Sequence, residues 1–244
     1  MHPVDMSNAL AMPHAALETD KARSPLARRG RLGEGFYCAA LHKPFQMAVK
    51  RAIDVTVSAT AILFLLPFLL AIAAAIKLEN RGPVFFRQTR WGRGGKQISI
   101  YKFRSMRTDL CDQSGVAQTK ENDPRVTRVG AFLRRTNIDE LPQLINILKG
   151  DMSLVGPRCH VPGMLAAGRL YEDLVDGYHL RHMVRPGLTG LAQSRGLRGP
   201  TDREDLSRAR VAADLEYIES FSIGLDLRIL YDTFVTEIRG GTGF

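Results

Sequence analysis

Two adjacent acids, Asp139 and Glu140, follow two adjacent arginines, Arg134 and Arg135, at the mouth of an apolar-periodic segment. A carboxylate can act as a nucleophile toward phosphorus. An acid pair beside guanidinium groups at a helix start can hold a divalent metal and a phosphate together. Arginine and Mg²⁺ would offset the charge of a diphosphate. Composition suits that chemistry. The chain has 244 residues and a net charge of +9, and residues 77–135 hold 14 Lys and Arg against five Asp and Glu. Such a surface attracts anionic lipid headgroups, phosphorylated substrates or nucleic acid. The sequence contains no G-x-S-x-G, H-E-x-x-H, Walker or kinase signature. His179 and His182 form H-x-x-H without matching cysteines or acids, so they read as surface or core histidines, and His160 is similar. Cys38, Cys111 and Cys159 are odd in number and widely spaced. They make no disulfide framework and fit a reducing compartment.

The elements that must position the acids come next. Ile138, Leu141, Ile145 and Leu148 recur at intervals of three, four and three, the pattern of an amphipathic helix ended by Lys149 and Gly150. Asn137 can cap that helix with Glu140 at the third position, so a capping box is the plain alternative account of Glu140. Residues 125–135 carry Val126, Val129, Phe132 and Leu133 at helical spacing. Val84 to Thr89 and Gln97 to Phe103 predict a hairpin across the Gly-rich, basic loop Trp91 to Lys96, which lacks the P-loop pattern. Asp151 to Arg158 reads as a loop presenting one arginine, and Arg185 to Gly190 as a tight turn followed by Gln193. Asp202 to Phe221 and Asp226 to Ile238 read as helices, and some of the amphipathic helices suit the plane of a membrane interface. Asp109 to Asp123 is polar and irregular.

Everything is organised around Val55 to Ile76, 22 residues without a charge and with Pro67 past the middle. As one straight helix it reaches roughly 33 Å, enough for a hydrocarbon core of about 30 Å. A kink at Pro67 would leave arms of about 18 and 15 Å, neither of which crosses alone. Lys50 and Arg51 precede the run; Lys77 and Arg81 follow it. Positive residues at both ends favour a cytoplasmic location for both. A re-entrant hairpin, a spanning helix and a buried helix of a soluble core all remain open on these features. The apolar run favours lipid and phosphorylated partners over nucleic acid. It starts too far into the chain, and is too long, for a signal peptide. Lys50 and Asp54 are spaced for an i,i+4 contact. Met1 to about Lys43 reads as a flexible basic extension with the cluster Arg28–Arg29–Gly30–Arg31.

From about Lys50 onward, four fifths of the chain resembles the bacterial sugar transferase family, the monotopic phosphoglycosyl transferases, in a small catalytic-core form. The motifs carrying the resemblance are KRAID at 50–54, the apolar run with its proline, VFFRQTRWG at 84–92 and YKFRSM at 101–106. FLRRTNIDELPQLINILKGDMSLVGPR at 132–158, RPGLTGLAQ at 185–193, and the signatures at 214–218 and 226–227 complete them. The resemblance implies an α+β fold: a mostly helical monotopic membrane protein with a re-entrant proline-broken helix, interfacial amphipathic helices and a small β-hairpin. It implies a basic extension over 1–43, a re-entrant membrane hairpin over 44–80 and a cytoplasmic catalytic domain over 81–244. Both termini would lie on the cytoplasmic face of the bacterial inner membrane. The implied reaction passes a sugar-1-phosphate from a UDP-sugar to undecaprenyl phosphate, releasing UMP, in exopolysaccharide or glycan assembly. Asp139 would form a covalent phosphosugar intermediate. Glu140, with Asp139, would bind Mg²⁺ and assist the acceptor. Lys102, Arg104, Arg134 and Arg158 would bind phosphate, and Arg185 and Gln193 the nucleotide or sugar. Membrane lipids and a homodimer partner are further expectations; nucleic acid is not. Three positions depart from the family pattern: Leu66 stands before Pro67 where serine is common, Asn137 replaces a serine, and Cys159 replaces a proline. None is in the acid pair. The rival reading is a catalytically inactive membrane-surface protein that recruits a glycan assembly complex; an integral regulator with a spanning helix is a third.

Overall fold

The structure, a computed structural model, describes residues 37–107 and 123–238. The basic extension before Tyr37 and most of the polar stretch Asp109 to Asp123 lie outside the described residues. The architecture is mostly helical, with one long apolar helix and three two-stranded sheets.

Helix α1 (Pro44–Glu79) opens with Pro44 in its first turn, where a missing N–H costs nothing. The helical pattern continues across Pro67, which removes one donor from the ladder without ending the helix. Among the described residues it is the one helix long and apolar enough to cross a membrane. Its middle is bare: Leu63, Phe64 and Leu70 are exposed. Its two ends are packed. Near the start, Lys50 Nζ donates to Asp226 Oδ2 at 2.6 Å and to the Val155 carbonyl at 2.9 Å. Asp54 Oδ1 accepts from the Leu154 amide at 2.9 Å. Lys50 and Asp54 therefore do not pair with each other as their spacing suggested; long-range partners in the folded core displace the local one. Near the end, Ile72 and Ile76 pack with Phe103 and Leu133. Arg104 closes the helix by donating to the carbonyls of Ile76, Asn80 and Arg81 at 3.2, 2.5 and 3.4 Å. Asn80 and Arg81 lie at and just past the helix end, where carbonyls have no partner within the helix, and the Ile76 carbonyl also accepts from the Asn80 amide.

The predicted hairpin is present, slightly longer: β1 (Phe85–Trp91) pairs antiparallel with β2 (Gln97–Phe103), Phe85 opposite Phe103 and Trp91 opposite Gln97. Helix α2 (Arg128–Arg135) is capped by Thr127 Oγ1, which accepts from the Gly130 amide at 2.9 Å. Glu79 reaches from α1 to accept from the amides of Arg128 and Val129. The acid pair lies on a one-turn 3₁₀ segment, Ile138–Glu140, and the regular helix α3 (Gln143–Lys149) begins only after Pro142. The expected unbroken helix is thus two pieces, because Pro142 has no N–H to continue the ladder; Asn137, left-handed at φ 55°, sets the first piece off from α2. The capping box does not form: Asn137 makes no cap bond, and Glu140 is engaged elsewhere. Gly150 ends α3 in the left-handed conformation that glycine favours.

Segments read as a loop and a turn contain a parallel pair, β3 (Ser153–Val155) with β6 (Gly187–Thr189). Three-residue strands separated by more than thirty residues leave no periodic trace. The chains approach closely there: a Cβ on Gly187 would lie 2.1 Å from the Gly156 nitrogen. A small hairpin, β4 (Leu165–Ala166) with β5 (Arg169–Leu170), leads into the short α4 (Tyr171–Leu174) and a 3₁₀ turn, Tyr178–Met183. The short α5 (Leu191–Ser194) follows β6. Helices α6 (Glu204–Ser220) and α7 (Ile223–Ile238) match the last two predicted helices. The core gathers Tyr171, Tyr178, Leu215, Tyr217, Ile218 and Phe221, all at most 2% exposed. Burying one Leu- or Ile-sized side chain contributes about 1.5–3 kcal/mol. Cys38 to Ala40 already belong to this packed unit: they are buried, and the Ala39 amide donates to the Ile218 carbonyl.

Candidate active site

A cleft of about 1380 Å³ opens beside the acid pair, lined by β1, β2, the 3₁₀ segment, the Arg158 loop, α5 and α7. Asp139 is 7% exposed and borders the cleft. Its nearest cation is Lys102 Nζ at 4.0 Å, and it accepts no hydrogen bond among the described residues. Glu140 is held differently. Its Oε1 accepts from Lys102 Nζ at 2.7 Å and from Arg158 Nη2 at 2.5 Å, and its Oε2 from Arg158 Nη1 at 3.2 Å. Arg158 thus grips Glu140 as a two-pronged fork.

These contacts separate the two carboxyls electrostatically. Burial pushes Asp139 above the usual carboxylate range; Lys102 pulls the other way, and Glu140 adds to the rise. Burial would raise Glu140 too, but Arg158 and Lys102 outweigh it and hold Glu140 well below the ordinary range. Glu140 in turn raises Arg158 above its usual value. Neighbouring acids with opposed shifts are the arrangement in which two carboxyls take different roles. Glu140 is a fixed anion among cations. Asp139 is a carboxyl whose charge is incompletely compensated and whose open side faces a cleft large enough for a substrate.

The backbone fixes this geometry. Asn146, fully buried on α3, accepts from the Tyr101 amide at 2.9 Å and donates to the Ser99 carbonyl at 2.8 Å. That locks α3 to β2, and so the acid pair to Lys102. Arg181 anchors the Arg158 loop. Its Nη2 donates to the Arg158 carbonyl at 2.7 Å and pairs with Asp214 at 2.5 Å. Arg90 donates to the Cys159 carbonyl at 3.1 Å and lines the cleft.

The structure brings together Asp139, Glu140, Lys102 and Arg158. Arg134 also borders the cleft, and its side chain makes no hydrogen bond among the described residues. Gln193 borders it with both amide atoms buried and without partners. Arg104 lines the cleft too, but its guanidinium is the cap of α1 described above. Arg185 lies apart: its Nε donates to the Gly150 carbonyl at 2.8 Å, and it borders a small void by Lys50 and Asp54. Pro67 is within the exposed part of α1, away from the acids. Asn146, Arg181 and Arg90 were missed in the sequence. Asn146 sits on the helix whose apolar stripe was legible, and only its polarity at a position flanking that stripe could have marked it. His160 bonds Tyr178 Oη through Nδ1 at 3.0 Å, and burial with Arg181 nearby keeps its imidazole neutral well below the usual histidine range. That fits the reading of a core histidine.

Among the described residues no group of three or more His, Cys, Asp and Glu is arranged to hold a metal. Asp139 and Glu140 supply hard oxygen donors, the type that Mg²⁺ accepts, and Mg²⁺ is commonly held by one or two carboxylates plus substrate phosphates. The residues present fit such a shared site.

A family model described as bacterial sugar transferase matches residues 45–240. The exopolysaccharide production protein PSS of Rhizobium leguminosarum bv. phaseoli is 63% identical over 198 residues, which are 81% of this chain and 99% of that protein. The UDP-glucose:undecaprenyl-phosphate glucose-1-phosphate transferase of Escherichia coli K12 is 50% identical over 192 residues, 79% of this chain and 40% of that one. The undecaprenyl-phosphate glucose phosphotransferase of Komagataeibacter xylinus is 49% identical over 201 residues, 82% of this chain and 38% of that one. The matched part therefore spans nearly all of the first relative and about two fifths of the other two.

Proposed function

The chain belongs to the bacterial sugar transferase family, and from that premise we propose that it is a phosphoglycosyl transferase acting at the cytoplasmic face of the bacterial inner membrane. It transfers a sugar-1-phosphate from a UDP-sugar to undecaprenyl phosphate and releases UMP, a first step in exopolysaccharide assembly. The names of the relatives that specify a glucose donor make UDP-glucose the first donor to test. The carrying observation is the unbonded Asp139 carboxyl facing the cleft beside a Glu140 clamped by Lys102 and Arg158.

In this reading Asp139 attacks the β-phosphorus of the donor. The bond from that phosphorus to the bridging oxygen breaks, and UMP leaves with the electron pair. An oxygen of the lipid phosphate then attacks the same phosphorus, and the Asp139 carboxylate is the leaving group. The covalent step divides a reaction between a water-soluble and a lipid substrate into two. Lys102, Arg134 and Arg158 offset the phosphate charge, and Gln193 meets the nucleotide or sugar. Glu140, held ionised, fixes Lys102 and Arg158 in place rather than carrying a proton, and aids the acceptor through those cations. Asp139 and Glu140 are the residues that would hold Mg²⁺, which would supply positive charge against the donor diphosphate. Arg104 and Arg185, engaged with backbone carbonyls, act by holding α1 and the α3 terminus in place.

The domain division follows the same reading: a membrane element over 44–80 and a catalytic part over 81–244. A re-entrant α1 with both ends cytoplasmic is supported by its contacts. Arg51 donates to the carbonyls of Ile147 and Leu148, while Ile72 packs near Ile138. A straight helix would separate Arg51 and Ile72 by about 31 Å, whereas Ile138 and Ile147 are nine residues apart through the 3₁₀ turn and α3, at most about 18 Å at helical rises. A bend at Pro67 reconciles the two spans, with the exposed middle in lipid. The exposed faces of α2 and α7 suit the interfacial plane.

The test is UMP release by the purified protein with Mg²⁺ and UDP-glucose, with and without undecaprenyl phosphate, beside Asp139→Asn. Lipid-dependent release that is lost in the variant supports the reading. No release from any UDP-sugar by folded protein in lipid would overturn it and favour a recruiting role.

A further inference from the structure

Glu237, in the last turn of α7, is joined to both walls of the cleft. Its Oε2 accepts from Asn137 Nδ2 at 2.9 Å, and its Oε1 from Arg198 Nη1 at 2.5 Å. Asn137 is the left-handed residue, φ 55°, from which the 3₁₀ segment carrying Asp139 and Glu140 departs. Arg198 belongs to the opposite wall, where residues 197–201 border the cleft. That wall is a loop without regular structure, tied by Arg210 Nη2 to the carbonyls of Arg198 and Pro200 and by Thr201 Oγ1 to Leu165. Glu237 is the one side chain among the described residues recorded as bonded to both the Asn137 turn and this loop.

Why should a side chain two residues before the nucleophile need a tether? A non-glycine residue at positive φ is held there by its surroundings, and asparagine tolerates the region better than most. Releasing Asn137 lets the backbone relax toward commoner angles and swings the following turn. Asp139 has no hydrogen bond of its own to resist the movement. The far end of α7 is firm, with Asp226 bonded to Lys50 and to Tyr217 Oη; one turn before Glu237, Thr233 Oγ1 meets Thr189 Oγ1 at 2.8 Å. The helix is thus a strut running from the base of α1 to the acid turn.

We propose that Glu237 is a positioning residue which, by binding Asn137 and Arg198 with one carboxylate, sets the acid pair at its distance from the opposite wall of the cleft. The proposal rests on the transferase reading above. It makes the last turn of α7 part of the catalytic apparatus although no atom of it need touch the reacting phosphorus.

The experiment measures kcat and KM for UDP-glucose in the full-length protein with undecaprenyl phosphate, together with thermal unfolding in the same detergent. Glu237→Ala is expected to lower kcat about tenfold, with KM changed less than about threefold, because misplacing a reacting group by a fraction of an ångström acts on the chemical step. Glu237→Gln is expected to recover most of kcat: its Oε1 still accepts from Arg198, and its Nε2 can donate to an Asn137 amide turned over. Asn137→Ala and the Asn137→Ala/Glu237→Ala double variant close a cycle, and the two losses should be clearly less than multiplicative. Multiplicative losses, a kcat unchanged in Glu237→Ala, or a loss matched by a lower unfolding midpoint and not rescued by Gln would each overturn the proposal. An inactive parent protein would instead count against the transferase reading.

Discussion

Two clusters in this molecule are built from the same parts, a lysine and two acids. At the base of α1, Lys50 sits with Asp54 and Asp226; beside the cleft, Lys102 sits with Asp139 and Glu140. In the first cluster each side chain is bonded: Lys50 to Asp226 and Val155, Asp54 to the Leu154 amide, Asp226 also to Tyr217 Oη. The void next to it holds about 10 Å³, at most one water. In the second, Glu140 takes all the strong donors, and Asp139 is left with a lysine at 4.0 Å and a cleft of about 1380 Å³. What separates the two uses of a lysine with two acids is the unfilled hydrogen-bonding capacity of Asp139 and the space in front of it.

The sharpest way to break the comparison is to neutralise one charged side chain in each cluster, an acid beside the cleft and the lysine at the base of α1. Asp139→Asn should lower UMP release by at least about a thousandfold, as loss of a nucleophile does. Its unfolding midpoint should stay equal or rise, because a buried carboxyl with little compensation is removed. A variant that kept activity would place the nucleophile elsewhere. Chelation of divalent ions should act on the same cluster alone, reducing turnover about a hundredfold or more while leaving the melting curve in place, since the donors belong to the site and not to the core. The opposite pattern belongs to Lys50→Met. It strands Asp226 in the interior and should destabilise the protein by about 3–5 kcal/mol, seen as a large drop in unfolding midpoint and in yield.

Smaller effects sharpen the contrast. Arg158→Lys keeps the charge but loses the two-pronged grip on Glu140, so turnover should fall roughly tenfold with little change in stability, because that side chain is 44% exposed. The smallest and most diagnostic effect is in acid. Asp139 is raised by burial, so its ionised fraction, and with it UMP release, should fall off at a higher pH than an ordinary aspartate near ~3.9 would allow. Glu140 is depressed by Arg158 and Lys102. Its contribution to stability is present above its unfolded value near ~4.3 and is lost only as pH falls through the depressed folded value. Activity should therefore fail on acidification while the fold is still intact; simultaneous loss of both would count against opposed shifts in the acid pair.

Much of this site was legible because its signals are local. Asp139 and Glu140 are neighbours in the chain, the Gln97 to Phe103 alternation marks a strand, and the apolar run of α1 needs no partner to be seen. Failures fell where the deciding contact is distant. The capping box, the alternative account of Glu140, does not form, because cations 18 and 38 residues away hold that side chain. Lys50 looked paired with Asp54, but its partner is 176 residues away. Arg104 shared a motif with Lys102; two positions later and just past the end of β2, its guanidinium reaches the carbonyls at the end of α1 instead. The parallel pair of β3 and β6 is too short for any period to reveal.

The sequence by itself determined an apolar run long enough for a membrane, a strongly basic stretch and an acid pair beside arginines, because apolar length, charge density and adjacency are properties of a linear chain. Only the tertiary structure decided which acid is clamped and which is left facing the cleft. Ion-pair partners are chosen by distance in the folded state, and burial sets how strongly each choice counts.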